Sequence, residues 1–444
     1  NYSNMQPYFS LAKTNLKFDR MPQTGGGSFI FRHKTSQTGL FKIYATQSFS
    51  DMAILLPDTT GINKFYRFGL SNSNSYLNAS FKEQLNSRWS SRNADSRKFE
   101  QFDQSSSDEM KQGKIIITRA LSNNNTIRFG SEAQFITYNR GVFQNFIGAY
   151  LPIPDTINEK YYGSFVEADW YLTKKIVARI GARHEYSKLL NKSNIAPRLS
   201  LGFKTGKDGQ ISLAYGDFYQ TPGISFISYS PEYLSYEKAT HYILNYQIVQ
   251  EDRTFRIEAY RKKYNDLIAL STSAINNSGN GYAQGIDVFW RDKKTFSYVD
   301  YWISYSYLDT KRKYLNFTKE FQPPFAADHT LNVVMKRFFT KIQTNVGLTY
   351  TFASGRPYYL YSGNTLDWGG KTPTYHNLSA NASYLTNIKG HFTVLVLSVS
   401  NVLGIDNIFS YRQTRGGLEP VRPLTKSFAF VGLFISIGKD TIED

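Results

Sequence analysis

The chain has 444 residues, a formal net charge of +17 and no cysteine. Without cysteine there is neither a disulfide framework nor thiolate chemistry, and no apolar run approaches the roughly 18 residues of a membrane helix. Aromatic residues make up 16%, with 33 Tyr and 33 Phe, and no Pro-rich linker, charge block or low-complexity run marks a domain boundary.

The first 27 residues are hard to place. Tyr8 to Phe18 reads as a possible partial strand, and Gly25-Gly26-Gly27 reads as a break after it. From residue 28 onward, period-two alternation predicts strands in pairs. The first pair is 28–34 and 40–55, around Ser36-Gln37-Thr38-Gly39. The next is 64–71 and 76–89, around Ser71-Asn72-Ser73-Asn74, with a long polar loop from Ser90 to Met110. Then come 113–120 and 126–139, around Ser122-Asn123-Asn124-Asn125.

The clearest hairpin joins Tyr161–Leu172 to Ile176–Ser187 through Thr173-Lys174-Lys175. Tyr162, Val166, Ala168, Trp170 and Leu172 fall on one face, with Ile176, Ala178, Ile180 and Ala182. Glu167, Asp169, Arg179, Arg183 and Glu185 fall on the other. The first face is interrupted only by Ser164 and His184. The second is too ionic for a dry core. A layer of lipid covers such an apolar face in an outer membrane, while the ionic face looks into a wet lumen.

Six further strand groups follow, at 196–219, 236–268, 282–308, 329–352, 375–403 and 427–437. The sum is about nineteen strands, with short turns alternating with longer polar loops, as in transmembrane barrels. The expected fold is all-β, a transmembrane antiparallel β-barrel over 28–437, with 1–27 as an uncertain N-terminal segment and 438–444 as a polar periplasmic tail. Single-chain bacterial barrels usually have even strand counts, so an odd number is missing or unread. Three more would give 22, the size of plugged transporters.

No catalytic constellation emerges. There is no Walker-type loop and no Gly-x-Ser-x-Gly elbow. The histidines form no paired metal motif, and no cofactor is implied. Glu132, Glu167, Asp169, Arg179, Arg183, Arg198 and Asp287 are expected on the lumen face, with Arg128, Arg256, Glu185 and Glu258. An acid/base pair among them is the enzymatic alternative to a lumen lined by ion pairs. By strand direction Tyr219, Tyr229, Tyr233, Tyr358, Tyr359, Tyr361 and Trp368 gather at the outer mouth. There aromatics could stack on a ligand and Arg356 or Arg412 could add charge. A nucleic-acid-binding protein would gather its basic residues on one face with interleaved aromatics. Here Lys and Arg are spread along the chain, so no nucleic acid is expected. The basic balance suits phosphate-bearing lipopolysaccharide and membrane lipid.

From Thr126 to Ile437 the sequence resembles the barrel of TonB-dependent outer-membrane receptors, of the Bacteroidetes type. The matching pieces are Ile195-Ala196-Pro197-Arg198-Leu199, Tyr219-Gln220-Thr221-Pro222, Tyr264-Asn265-Asp266-Leu267-Ile268, Asn277-Ser278-Gly279 with Gln284-Gly285-Ile286-Asp287, Ser354-Gly355-Arg356-Pro357 and Asn401-Val402-Leu403, in the family's order. The resemblance implies a Gram-negative outer-membrane location. It implies import of a scarce nutrient (an iron chelate, haem, cobalamin, glycan or peptide) through a barrel whose plug domain the TonB complex pulls. A surface lipoprotein is a further possible partner. No plug or TonB-contact segment matches in this sequence. The alternative is a passive porin-like or scaffold barrel.

Overall fold

The computed structural model describes residues 1–11, 17–57, 65–86, 89–101, 106–139, 156–227, 233–270, 275–362, 365–414, 417–423 and 425–436. The strands, in chain order, are β1 (Tyr2–Asn4), β2 (Lys17–Lys34), β3 (Leu40–Pro57), β4 (Phe65–Asn86), β5 (Trp89–Gln101), β6 (Ser106–Ala120), β7 (Thr126–Asn139), β8 (Thr156–Tyr171), β9 (Ile176–Ser187), β10 (Lys192–Lys204), β11 (Gly209–Gln220) and β12 (Glu237–Val249). They continue as β13 (Arg253–Leu270), β14 (Ile275–Asp292), β15 (Val299–Lys313), β16 (His329–Phe339), β17 (Thr344–Ala353), β18 (Pro357–Ser362), β19 (Thr365–Lys371), β20 (Tyr375–Ile388), β21 (His391–Ser400), β22 (Ser410–Thr414), β23 (Gly417–Val421) and β24 (Phe428–Ile435). Two short helices, α1 (Gln6–Leu11) and α2 (Ile224–Ile227), interrupt them. No described helix is long and apolar enough to cross a membrane.

Twenty of these strands carry the main antiparallel pairing. The other four form two separate hairpins, β18–β19 and β22–β23. The chain divides into two compact units. The first comprises Asn1–Leu201, Ala214–Thr240 and Tyr264–Gly279. The second comprises Gly202–Leu213, His241–Lys263 and Asn280–Asp444.

In the first unit β7, β8 and β9 pair without a register shift, placing Glu132 opposite Gly163, Phe165 opposite Arg183 and Asp169 opposite Arg179. Directly opposite residues share a face. The apolar face is the open one: Ile180 is 58% exposed, and Val166, Trp170 and Leu172 are also exposed. The charged face is the covered one, with Glu132, Glu159, Asp169 and Glu185 all buried. This inverts the order of a soluble sheet and is the arrangement that surrounding lipid demands. The second unit repeats it. Ile303, Tyr305, Met335 and Leu348 are exposed on one face of β15–β17. On the other, Asp287 lies opposite Ser306 and Asp300 opposite Lys336.

The turns show why the hairpins close where they do. The Thr173 hydroxyl accepts the N–H groups of Lys175 (3.1 Å) and Ile176 (3.0 Å), the local bonding that makes Thr a turn residue. Asn123 and Asn124 take left-handed φ values of 57° and 62°, which Asn tolerates better than most residues. Asn125 accepts the Tyr171 N–H at 2.7 Å.

Besides Tyr8–Phe18, where Gln6–Leu11 is helical and a strand begins only at Lys17, and the unexpected hairpins β18–β19 and β22–β23, three segments differ from the sequence reading. β4 is a single strand through Ser71–Asn74, paired with β3 without a shift, because polar side chains there bond across the ladder (Gln47 Nε2 donates to Ser73 Oγ at 3.0 Å) instead of turning the chain. The expected loop from Ser90 to Met110 holds β5, which pairs with both β4 and β6. Crossing a bilayer needs only about 9–11 residues, whereas β4 alone has 22. A strand of that length has residues to spare beyond the span and need not alternate throughout. The split strand and the missed strand offset each other in the count. Third, Gly25–Gly27 lie inside β2 and pair with β3. A Cβ on Gly26 would approach the Gln47 carbonyl oxygen to 2.7 Å, so the glycine there permits close strand approach. The 438–444 segment lies outside the described residues.

Because Val166 faces outward in the middle of its hairpin, Val166→Arg should destabilise the folded protein in lipid vesicles by about 2–4 kcal/mol. Equilibrium denaturant unfolding reads this. An unchanged midpoint would mean that the exposed face does not meet lipid.

Candidate functional site

In the first unit the charged face is organised as two ionic clusters. Near the β8–β9 turn, Arg128 donates to Glu167 (2.8 Å) and Asp169 (2.7 Å), while Arg179 donates to Asp169 (2.5 Å) and lies 3.6 Å from Glu167. Two arginines against two carboxylates leave this cluster neutral. Farther along the strands, Arg183 donates through Nε to Glu185 (2.6 Å), and through Nη2 to Glu132 and to the Tyr161 hydroxyl (3.2 Å). Lys114 lies 3.4 Å from Glu132. These are charge-assisted bonds, with Glu132, Asp169, Arg183 and Glu185 largely withdrawn from water and Arg179 and Lys114 more exposed.

Beside the second cluster, at the strand ends that carry the β11–β12 connection, lies a cavity of about 320 Å³. Its wall holds Glu132, Glu159, Glu185, Arg183 and the phenols of Tyr161 and Tyr219. Pro222, Ile224 and Ile227 cover another side. Ile227 and Tyr236 of this lining are themselves buried, as are Leu190 and Leu234. Tyr219 packs edge-on to Tyr236 at 6.3 Å and has the Lys238 ammonium 5.5 Å over its ring. Lys238 in turn pairs with Asp217 at 2.9 Å.

In the second unit an aromatic platform joins β18–β19 to the 314–328 connection. Tyr359 packs edge-on to Phe317 (4.9 Å), Phe321 (5.4 Å) and Trp368 (5.8 Å), and its hydroxyl donates to the Gln322 carbonyl at 2.7 Å. Burial pushes the Tyr359 phenol up to about 12 and also raises that of Tyr314. Tyr358 packs on Tyr411 at 4.7 Å, and Gln413 accepts the Tyr361 N–H at 2.8 Å. The two hairpins are thereby joined. Gly355 sits against the Thr372 carbonyl, which a Cβ would approach to 1.9 Å, so the Ser354-Gly355-Arg356-Pro357 segment needs glycine to close the hairpin base. Asn401 ties the β21–β24 connection together: its side-chain amide donates to the carbonyls of Ile405 (2.8 Å) and Lys426 (2.6 Å) and accepts the Ile405 N–H (3.1 Å).

Of the residues expected at the mouth, Tyr219 lines the first-unit cavity, and Tyr233 is exposed beside it in sequence. Tyr229 lies outside the described residues. Tyr358, Tyr359 and Trp368 share the second-unit platform. Arg356 uses its backbone N–H on Thr372 Oγ1 (3.0 Å) and leaves its side chain exposed. Of the expected ionic residues, Glu132 and Arg183 meet in one cluster, and Glu167, Asp169 and Arg179 in the other. Arg198 stands 4.7 Å over the Phe218 ring, and Asp287 accepts from Ser306. Sequence reasoning put Tyr161 on the ionic face with Glu167 but assigned it no role, and it missed Glu159, Phe317 and Phe321. Glu159 falls on the same strand face as Glu167, and that parity could have found it. Phe317 and Phe321 sit in a polar connection with no periodicity to single them out. Among the described residues no group of His, Asp or Glu is arranged to hold a metal ion.

An exposed apolar face and an ion-lined opposite face define a transmembrane β-barrel. A family model described as "TonB dependent receptor-like, beta-barrel" matches residues 4–402, and the chain belongs to that family. Among solved structures, the ferric-catecholate import receptor Fiu of Escherichia coli K12 aligns over 96% of this chain and 76% of its own, at a TM-score of 0.73 and 10% identity. The ferric yersiniabactin uptake receptor FyuA of Yersinia pestis aligns over 94% and 71%, at 0.71 and 12%. The siderophore receptor PirA of Acinetobacter baumannii aligns over 96% and 72%, at 0.70 and 11%. At such identities the likeness establishes the fold. No curated protein matches the sequence significantly.

Two measurements check the site's internal logic. Arg183→Met strands Glu185 and leaves Glu132 with Lys114 alone, and should cost about 3 kcal/mol, most of it recovered when Glu185→Gln is added; a cost for the single change well under that would show the cluster to be fully solvated. Asn401→Ala should raise amide hydrogen exchange across 405–426 while leaving β7–β9 protected, and equal protection throughout would show that the connection is held by something else.

Proposed function

We propose that the protein is an outer-membrane receptor of the TonB-dependent type, importing a scarce nutrient without catalysis. Membership of the receptor family over residues 4–402 carries the reading. The aromatic platform supports it: an amphipathic, pre-organised aromatic surface gives contact area at low entropy cost. Ligand contacts are assigned to Tyr219, Tyr229, Tyr233, Arg356, Tyr358, Tyr359 and Trp368. Trp368, half exposed while held by Tyr359, is the anchor. Glu132, Glu167, Asp169, Arg179, Arg183, Arg198 and Asp287 face the lumen, where they contact a plug domain that the TonB complex displaces. Ferric chelates are the ligand class to examine first, because the names of Fiu, FyuA and PirA specify ferric or siderophore ligands.

Uptake of radiolabelled iron on a panel of ferric chelates, in cells expressing the full-length protein, tests this. One chelate should be accumulated only while the proton gradient is intact. Trp368→Ala should weaken its binding by about tenfold or more, as loss of a central aromatic anchor does. Accumulation indifferent to the gradient, or ion conductance through purified protein with no chelate bound, would instead make this a passive barrel.

A further inference from the structure

The wall of the 320 Å³ first-unit cavity is acidic in a chain whose formal charge is +17. Its one arginine, Arg183, is already committed to Glu132, Glu185 and the Tyr161 hydroxyl, so it has little left to offer an anion. Lys114 supports Glu132 from outside, and the nearby Lys238 is balanced by Asp217. Glu159 is different. It is 6% exposed and lines the cavity, yet among the described residues its donors are all neutral: the Ser187 hydroxyl, 3.0 and 3.1 Å from its two oxygens, and the backbone N–H groups of Lys188 and Leu189. A carboxylate that far from water without a counter-charge is costly. A cation entering the cavity would remove the cost.

We infer that this cavity binds an alkylammonium group, with the ammonium at Glu159 and its methylene chain along Pro222, Ile224 and Ile227. The lining supplies each part. The carboxylate accepts from the ammonium, the phenols of Tyr161 and Tyr219 add polar lining, and the covering segment is apolar. An anionic ligand finds acceptors where it needs donors. The inference rests on the cavity being open to ligand as the proposed receptor function requires, but it concerns binding alone, so failure of uptake and failure of this site are separable.

Calorimetric titration of the purified full-length protein with spermidine, Nα-acetyl-lysine amide and citrate tests it. Spermidine or the lysine amide should bind saturably and citrate should not; whichever amine binds more tightly identifies a free amine or a lysine side chain as the source. Glu159→Gln keeps the size of the side chain and an acceptor for Ser187, so the fold should survive. It should weaken amine binding by about tenfold or more, the range for losing a charged hydrogen-bond partner. Absence of saturable amine binding to the unaltered protein, equal affinity in Glu159→Gln, or citrate competing with the amine would each overturn the proposal.

Discussion

Backbone polarity in lipid governs this molecule. No water reaches the bilayer core to satisfy an N–H or C=O, so a spanning strand must place every such group in the ladder with its neighbours. Once the ladder is fixed, the side chains have only two directions. One must suit lipid, and the other takes whatever polar residues remain. The β7–β9 ladder shows this without interruption: Val166, Trp170 and Ile180 stand outward, and Glu132, Asp169 and Arg183 stand on the opposite side. The ionic clusters follow from the ladder. Because strands pair in register, an arginine on one strand meets carboxylates on its neighbour at bonding distance, as Arg128 meets Glu167 and Asp169. Each ion of the two clusters then has a partner, which keeps the cost of withdrawing it from water tolerable.

The two ends of the strands obey different rules. The short turns are closed by local bonds. Asp292 is buried at one of them, where it accepts the backbone N–H groups of Lys294 (2.7 Å) and Thr295 (2.8 Å) and pairs with Arg253 at 3.0 Å. Such a turn has little freedom left. The longer connections are held by contacts distant in sequence: Tyr359 on Gln322, Tyr358 on Tyr411, and Asn407 on His376, whose backbone N–H its side-chain oxygen accepts (3.0 Å) and to whose carbonyl its side-chain nitrogen donates (2.8 Å). Those contacts order the connections without committing them to the ladder, so their surfaces remain available for recognition. Recognition on a rigid frame loses less entropy than recognition by a loose loop.

The legible part of the fold was the part the ladder governs. Strict alternation from Tyr161 to Ser187 revealed both faces of the hairpin, and the turn at Thr173 is where local hydroxyl bonding predicts it. Alternation failed where a strand leaves the apolar band. Ser71–Asn74 has turn chemistry but strand geometry, since pairing with β3 outweighs local propensity once Gln47 and the serines bond across it. β5 has no apolar face to read. The hairpins β18–β19 and β22–β23 were invisible for a related reason: their residues answer to tertiary packing, such as Tyr359 against Phe317, and not to a periodic boundary with lipid. For the candidate site, parity placed Glu167, Asp169 and Arg183 on one face, but no sequence rule shows which ions are balanced. That depends on which cation stands within about 4 Å of each carboxylate, and the strand register alone decides it.

Fold can therefore persist at 10–12% identity while recognition diverges. The ladder asks only for alternation, compact turns and glycine where backbones crowd, as at Gly355 beneath the Thr372 carbonyl. Many sequences satisfy that. It places no demand on whether a cavity wall carries an unbalanced carboxylate such as Glu159 or on how an aromatic platform such as that around Tyr359 is composed, because these groups neither span the apolar band nor close a turn. Selection for a ligand can act on them freely. Hence a ligand cannot be carried from one barrel to another on shape alone, and must be argued from the charges and rings that each chain places where the ladder does not dictate them.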